Sequence, residues 1–272
     1  MSNQSRFATI DLSDPTYEFE NLRFLTVKSP ALQGRGDITL YIPAEAEAGT
    51  AVPLVLLLHG VYGSHWNWAL KGGAHRTAES MIAAADIPPL ILAMPSDGLW
   101  GDGSGYFAHQ SINYEAWIVE DVIDCLIETV PAIDDQSPVF ISGLSMGGYG
   151  ALLLGAKYPE RFAGISAHSS MTHFDQFEIF ARQPMATYQP ASESDKSVFY
   201  WLQKHQERLP PLRLDCGAED LLIAHNRELR QALLDHGIDH TYEEFEGSHS
   251  WAYWSEHLKD TLRFFGGIIE TR

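Results

Sequence analysis

The sequence predicts an α/β fold with a mostly parallel central sheet, helices on both faces and an N-terminal antiparallel hairpin. Short apolar runs that suit strands alternate along the chain with longer segments of helical periodicity. The run at 54–58 is aliphatic throughout, as expected for a strand that is buried on both faces. Between Val139 and Ala151 a strand pattern changes through a tight Gly-Ser turn into a helix pattern. This alternation is typical of parallel strands that are connected by helices.

Two alternating stretches near the N-terminus predict the hairpin. Residues 18–27 and 37–42 alternate apolar and polar side chains, and a Gly-Arg-Gly sequence at 34–36 suggests the turn between them. Both would be edge strands. The other strands are predicted from short apolar runs at 54–58 and 90–94 and from strand-like stretches at 162–167, 212–216 and 240–245, in addition to the one that starts at Val139.

Helices are predicted where apolar residues recur with helical spacing. One such repeat ends at Pro131, which cannot continue a helix, and Gly237 suits the C-cap of a later one. The predicted helices are 77–85, 114–130, the segment that follows Ser145, 224–236 and 257–265. From about 169 to 208 the sequence is polar, aromatic and irregular. We expect one α/β domain spanning 1–272, with a lid or insertion at 169–208.

The charge balance excludes some classes of partner. Lys and Arg together count 18 against 36 acidic residues, which gives a formal charge of −18. Such a charge repels phosphate backbones and anionic membrane surfaces, so we expect no nucleic-acid or membrane partner. Cys125 and Cys216 are the only cysteines and are expected to be reduced, and the N-terminus has no apolar signal core. We therefore expect a cytoplasmic protein; whether it forms a homo-oligomer stays open.

The turn after the strand from Val139 carries the candidate nucleophile. It reads Gly143-Leu-Ser145-Met-Gly147, a Gly-x-Ser-x-Gly pattern between a strand and a helix. At such a turn the serine hydroxyl is exposed, and the two glycines leave room where a Cβ would crowd the backbone. The alternative is that these residues only connect a strand to a helix. The rest of the chain favours the catalytic interpretation.

Two further candidates follow strand-like runs in the same way. Asp220 comes after the run at 212–216, and His249 comes after the run at 240–245. The order serine, acid, histidine is that of the α/β-hydrolase fold, and reacting groups gather at the carboxyl ends of parallel strands. His249 would move the proton of Ser145, and Asp220 would orient the imidazole. Glu219 and Asp215 are alternative candidates for the acid. The position of Asp220 after the Cys-Gly-Ala-Glu turn favours Asp220.

An oxyanion formed on the substrate carbonyl would need fixed hydrogen-bond donors. One candidate is the backbone N–H of Met146, the residue after the nucleophile. The second is the backbone N–H of Val61, in the loop after the 54–58 strand. The His59 side chain of that loop is expected to be a hydrogen-bonded structural element rather than an acid or base.

Together these segments resemble the putative-esterase family of α/β hydrolases. Four motifs carry the resemblance, namely His59-Gly60-x-x-Gly63, Gly143-Leu-Ser-Met-Gly-Gly-Tyr-Gly-Ala151, Cys216-Gly217-x-x-Asp220 and Gly247-Ser-His-Ser-Trp-x-x-Trp254. The family includes tributyrin-type carboxylesterases, feruloyl and acetylxylan esterases, S-formylglutathione hydrolases and mycolyltransferases. The resemblance implies the same triad and the same two oxyanion donors. The loop at 95–107 and the segment at 169–208 depart from the family pattern, so the substrate is not specified.

Aromatic residues on the loops after strands are candidates for substrate contacts, because such rings can stack on a sugar or an aromatic acyl group. The alternative is that they only pack the loops. The candidates are Tyr62, Trp66, Trp100, Tyr106 and Trp251, and Trp68 and Trp254 are expected on the same side of the sheet. We expect no cofactor and no metal, since the glycine-rich loop at 101–105 lacks a phosphate-binding ending and no metal motif is present.

The sequence thus predicts a serine carboxylic-ester hydrolase that cleaves small acyl or sugar-linked esters through an acyl-enzyme. An acyltransferase or an S-formylglutathione hydrolase-type thioesterase would use the same residues and stays open. A binding scaffold without catalysis is the least favoured interpretation, because it would need the triad to be broken or buried.

Overall fold

A computed structural model describes residues 5–272 of the chain. Nine strands form one sheet in the order β1-β2-β3-β5-β4-β6-β7-β8-β9. Strands β4 to β9 pair in parallel, and β1, β2, β3 and β5 pair antiparallel in succession. The bounds are β1 Ile10–Leu12, β2 Leu22–Ser29, β3 Gly34–Tyr41, β4 Leu54–Leu58, β5 Ile91–Pro95, β6 Val139–Leu144, β7 Gly164–His168, β8 Leu212–Gly217 and β9 Thr241–Phe245.

The helices connect the strands and cover the sheet. They are α1 Asn67–Leu70, α2 Ala74–Ala83, α3 Tyr114–Ala116, α4 Ile123–Thr129, α5 Met146–Lys157, α6 Val198–Lys204, α7 Ile223–Asp235 and α8 Trp251–Glu270. A π-helical segment, Trp117–Val122, joins α3 to α4, so the predicted helix at 114–130 is continuous but wider in its middle. Between β7 and β8 lie α6 and four 3-10 turns, Phe174–Ile179, Met185–Thr187, Glu193–Lys196 and Gln206–Arg208.

The sheet lies between two apolar layers, and the central strand shows why. In β4 the side chains of Leu54, Leu56 and Leu58 enter the core on one face, while Val55 and Leu57 enter the core on the other. Successive side chains of a strand point to opposite faces, so a continuous aliphatic run suits a strand that is covered twice. The α/β-hydrolase fold with its N-terminal hairpin is as predicted.

The hairpin differs from the prediction in its turn. Gly34 and Gly36 lie inside β3, and the chain reverses at 30–33, where Gln33 has a φ of 51° and donates its N–H to the Pro30 carbonyl oxygen. Gly36 is required by packing instead, because a Cβ there would lie 2.5 Å from the ring of Trp117. The strand β1, which pairs with β2 and forms the edge, was not predicted.

The last helix also begins earlier than predicted. It starts at Trp251 instead of 257, and the Ser250 side chain accepts a hydrogen bond from the N–H of Tyr253 at its first turn. The catalytic candidate His249 therefore sits immediately before the N-cap residue of a helix. Among the residues that the structure describes, no helix combines the length and the apolar character that a membrane span needs.

A buried charge network lies in β8, under the strand ends. Arg213 donates to Asp215 Oδ2 at 2.5 Å and to Glu243 Oε2 at 2.8 Å. His168 Nδ1 lies 2.8 Å from Asp215 Oδ2, and the Tyr253 hydroxyl donates to Oδ1. Burial alone would raise the pKa of Asp215, but the charges of His168 and Arg213 and these hydrogen bonds outweigh it and hold the pKa below its usual value.

Replacing Arg213 with methionine is expected to lower the free energy of unfolding by about 3–5 kcal/mol, because the buried Asp215 charge would lose its guanidinium partner and keep only His168 and the Tyr253 hydroxyl. A carboxylate whose pKa is lower in the folded protein than in the unfolded chain stabilises the fold at pH values above its unfolded pKa. This contribution is lost as the pH falls through the folded pKa. The difference in free energy of unfolding between the wild type and Arg213→Met should therefore be complete at neutral pH and become smaller below about pH 4. Urea unfolding at both pH values tests this. Arg263→Met, at an exposed arginine, is the control and should change stability little.

Candidate functional site

The residue Ser145 forms the turn between β6 and α5. Its backbone angles are φ 55° and ψ −118°, a strained conformation for a residue other than glycine. The flanking glycines are required by space: a Cβ on Gly143 would lie 2.2 Å from the Gly147 carbonyl oxygen, and one on Gly147 would lie 2.2 Å from that of Leu58. The Ser145 N–H donates to the His168 carbonyl oxygen at 3.0 Å. The turn is thus fixed by its neighbouring strands.

The structure brings the three predicted residues together. His249 Nε2 lies 3.0 Å from Ser145 Oγ, and Nδ1 lies 2.9 Å from Asp220 Oδ2 and 3.0 Å from Oδ1. Because ionised Asp220 can only accept, Nδ1 carries the proton and Nε2 is free to accept the serine proton. The Asp220 side chain is fully buried, while that of His249 keeps 12% exposure. The imidazole can therefore reach both the serine and solvent.

The turn after β8 aims Asp220 at the histidine. Asp220 Oδ1 accepts the N–H of Leu222 at 2.8 Å, which fixes the carboxylate. The Glu219 N–H donates to the Gly247 carbonyl oxygen at 2.9 Å, so this turn is joined to the loop that carries His249. Of the two competing acids, Glu219 is exposed and Asp215 belongs to the buried network of Arg213. Neither contacts the histidine.

The loop after β4 lies beside the nucleophile. A Cβ on Gly60 would lie 3.4 Å from the Ser145 Cβ, which shows how closely the two turns approach. Among residues 5–272, the N–H groups of Val61 and Met146 donate to no protein acceptor. The Met146 N–H also stands at the N-terminus of α5, where the helix dipole favours negative charge. Both predicted donors are therefore available to a ligand.

The His59 side chain holds that loop from within the core. Its Nδ1–H donates to the Gly60 carbonyl oxygen at 2.8 Å, and Nε2 accepts the N–H of Asp97 at 3.1 Å. The ring is 2% exposed and fits under Gly63, where a Cβ would lie 2.4 Å from Nδ1. Both ring nitrogens are occupied, so His59 is placed to support the loop and is not placed to transfer protons.

A model of the family described as "Putative esterase" matches residues 29–265. The chain belongs to this esterase family. It is a serine carboxylic-ester hydrolase, as the sequence predicted.

Individual relatives agree with the family. An acetyl esterase from Caldicellulosiruptor saccharolyticus is 29% identical over 232 residues, which cover 79% of this chain and 83% of that protein. An S-formylglutathione hydrolase from Paracoccus denitrificans (strain Pd 1222) is 24% identical over 245 residues, covering 83% of this chain and 85% of that protein. A solved ferulic acid esterase has the same fold, with a TM-score of 0.77 at 23% identity over 91% of this chain and 98% of that one.

A cavity of about 310 Å³ opens beside Ser145 of the esterase. Two of the five predicted aromatic contacts line it, Tyr62 and Trp251. Trp66 is 42% exposed and does not line the cavity. Trp100 packs edge-on against His109 and Tyr188 in the apolar layer. The cavity is lined by Gly60, Val61, Tyr62, Asn67, Lys71, Leu144, Ser145, Phe180, His249, Ser250, Trp251 and Trp254.

The prediction that Tyr106 contacts substrate has to be corrected. The side chain is fully buried, and its hydroxyl donates to the His59 carbonyl oxygen at 3.0 Å. A Cβ on Gly150 would lie 2.6 Å from the Tyr106 ring, so the ring fills space above α5. Tyr106 therefore supports the loop after β4 from within the core and is not available to a substrate.

Two aromatic side chains pack against the His249 ring, and of these only Trp254 was among the aromatic residues that the sequence placed on the active-site side. Phe180 lies on one face of the His249 ring, with centroids 5.0 Å apart and planes at 27°. Trp254 meets the same ring edge-on at 4.9 Å. Trp251 and Trp254 both lie in the first turn of α8, and residues i and i+3 share a helix face, so both line the cavity. Phe180 lies in the irregular segment at 169–208, where no periodicity could have indicated it.

Asp102 joins this irregular segment to the loop after β4. Its Oδ2 accepts the N–H groups of Arg182 at 2.7 Å and Gln183 at 2.8 Å, and its carbonyl oxygen accepts the N–H of Tyr62 at 2.8 Å. The Tyr62 hydroxyl in turn donates to the Phe180 carbonyl oxygen at 2.8 Å. These four hydrogen bonds hold Phe180 over the histidine.

Replacing Asp102 with alanine is expected to speed amide hydrogen exchange at Arg182 and Gln183 by about tenfold or more, because each N–H loses a charged acceptor. Exchange measured by mass spectrometry on peptides that span 180–183 tests this. Asp175→Ala, an exposed site in the same segment, is the matched control and should leave that exchange unchanged. Equal exchange in the Asp102 variant and the wild type would contradict the assignment.

Proposed function

We propose that Ser145 is the nucleophile of the esterase, His249 its general base and acid, and Asp220 the group that orients the imidazole. The observation that supports this most is the line of hydrogen bonds from Asp220 through His249 to the Ser145 hydroxyl, at the wall of an open cavity. The backbone N–H groups of Val61 and Met146 are proposed as the oxyanion donors, because both are free and lie next to the nucleophile.

The reaction follows from these positions. Ser145 Oγ attacks the ester carbonyl carbon while its proton moves to His249 Nε2, and Asp220 stabilises the resulting imidazolium through Nδ1–H. The developing oxyanion accepts hydrogen bonds from the two amides. His249 then gives the proton to the leaving alcohol, and the acyl group remains on Ser145. A water molecule, deprotonated by the same histidine, releases the carboxylic acid and restores the serine.

We propose small acyl or sugar-linked esters as the substrates. A cavity of about 310 Å³ lies at the lower end of the range for small-molecule sites, and four aromatic side chains form its walls. The similarity to a protein named acetyl esterase supports a short acyl group. The similarity to a protein named S-formylglutathione hydrolase supports a thioester as the second candidate.

The remaining proposals concern the setting of the site. We propose that residues 1–272 form one α/β-hydrolase domain and that 169–208 acts as a lid, since Phe180 from this segment covers the histidine. A cytoplasmic location is supported by Cys125 and Cys216, which are both free and buried. The net charge of −18 supports the absence of a nucleic-acid partner.

The substrate proposal is tested by hydrolysis of para-nitrophenyl esters from acetate to decanoate, with methyl ferulate, acetylated xylose and S-formylglutathione alongside. We expect the highest kcat/KM among the short acyl esters. A preference for decanoate would contradict a small acyl site. Added alcohol or sugar, with analysis of products, separates hydrolysis from acyl transfer, because a transferase would form the new ester in place of the free acid.

A further inference from the structure

One side of the cavity is formed by two residues of α1 and its C-terminal end, Asn67 and Lys71. They are four residues apart, so their side chains share a helix face. Asn67 is 8% exposed, and its Oδ1 accepts the N–H of Ser64 at 3.2 Å. A backbone N–H can only donate, which fixes the orientation of the amide and turns Nδ2 away from Ser64. Among the described residues Nδ2 has no hydrogen-bond acceptor, yet it is not sealed from solvent.

Lys71 supplies the second donor. Its ammonium group lies 5.6 Å from the ring centroid of Trp251, another residue that lines the cavity. Within residues 5–272 it forms no ion pair with a carboxylate. The cavity wall contains no Asp or Glu, although the chain carries 36 acidic residues against 18 basic ones. This part of the cavity therefore offers donors and positive charge, and no competing carboxylate.

We propose that Asn67 and Lys71 form a subsite for an anionic group, a carboxylate, on the ester substrate. An amide NH₂ and an ammonium group can both donate to carboxylate oxygens, and a charged acceptor makes such bonds stronger. The inference rests on the proposed function, because the subsite shares its cavity with Ser145 and His249. It narrows the substrate class to esters that carry a negative charge in the acyl or the alcohol part.

The experiment compares charged and neutral esters of nearly the same shape. An acyl-side pair is 4-nitrophenyl hydrogen adipate and 4-nitrophenyl methyl adipate, and a leaving-group pair is 4-acetoxybenzoate and methyl 4-acetoxybenzoate. The readout is the ratio of kcat/KM for the charged ester to that for the neutral ester, after subtraction of spontaneous hydrolysis. We expect a ratio above one for one of the two pairs, and the pair that responds identifies the side that carries the charge.

Variants assign the preference to the two residues. Lys71→Met should lower the ratio by up to about fivefold, the range for an exposed ion pair, and Lys71→Glu should lower it further. Asn67→Asp keeps an oxygen for the Ser64 N–H and replaces the donor with a negative acceptor, so it should also lower the ratio. Higher salt should reduce the ratio in the wild type and change it less in Lys71→Met.

Lys204→Met is the matched control. Lys204 also lies over an indole ring, 4.3 Å from the centroid of Trp201, but it is not part of the cavity wall. The ratio of kcat/KM for charged and neutral esters should be the same in Lys204→Met as in the wild type. If the wild type cleaves the neutral esters through Ser145 but the Lys71 and Asn67 variants keep its ratio, the subsite is wrong and the proposed function stands. A folded wild type that cleaves none of these esters overturns both.

Discussion

Replacing Ser145 with alanine is expected to lower kcat for ester hydrolysis by roughly 10⁶, the loss that follows removal of a triad nucleophile. Alanine leaves the imidazole with no proton to accept and no atom that can hold the acyl group. Because Ser145 is the only member of the proposed triad that would form a covalent bond, this should be the largest effect of any single substitution. Steady-state kinetics with a para-nitrophenyl ester measure it.

The variant must be folded for the loss to be informative. Ser145 is 2% exposed and its side chain contacts His249, so removal of one oxygen leaves the surrounding packing nearly unchanged. Ser170→Ala is a matched control, because Ser170 is also buried near the strand ends, and its hydroxyl donates to the neighbouring Met171 carbonyl oxygen. That variant should retain activity. A Ser145 variant with the rate of the wild type would contradict the assignment of the nucleophile.

Replacing Asp220 with asparagine is expected to lower kcat by about 10⁴. The Leu222 N–H would hold the remaining carbonyl oxygen of the amide, as it now holds Oδ1. The amide NH₂ would then face His249 Nδ1 and could only donate a hydrogen bond, so Nδ1 would have to act as the acceptor. The ring proton would move to Nε2, where it points at Ser145 and prevents the histidine from acting as a base.

Because this effect depends on the imidazole tautomer, KM for a small ester should change much less than kcat. Glu219→Gln is the control, since Glu219 is the adjacent acid in the same turn and is exposed. It should leave kcat within about twofold of the wild type on the scale of ordinary surface substitutions. If both substitutions reduced kcat equally, Asp220 would not be the orienting acid.

The centre of the sheet could be predicted because β4, β5 and β6 are short apolar runs with clear ends. Each of the three catalytic candidates lies at or in the turn after the end of a predicted strand, so their position at the carboxyl ends of the sheet followed from the parallel order alone. The prediction of the hairpin turn is wrong because glycine suits both turns and close packing. The Gly-Arg-Gly sequence at 34–36 suggests a turn, but Gly36 leaves space for the Trp117 ring, a contact between residues far apart in sequence.

The residues that contact substrate could be predicted only in part, because here too one residue type has two uses. Loop aromatics are equally suited to contact a ligand or to pack a loop, and sequence spacing does not separate the two. Tyr106 is buried because its hydroxyl has an acceptor inside the loop after β4. Phe180 reaches His249 because Asp102 and Tyr62 hold its segment there. Such contacts depend on tertiary positions that no local pattern encodes.

The central claim is that Ser145 is an activated nucleophile in an accessible cavity. Labelling with an alkyl fluorophosphonate, followed by intact mass and peptide mapping, tests it most directly. We expect a single adduct on Ser145, formed more slowly in Asp220→Asn and absent in Ser145→Ala. No adduct on the folded protein, or an adduct on a different residue, would contradict the account.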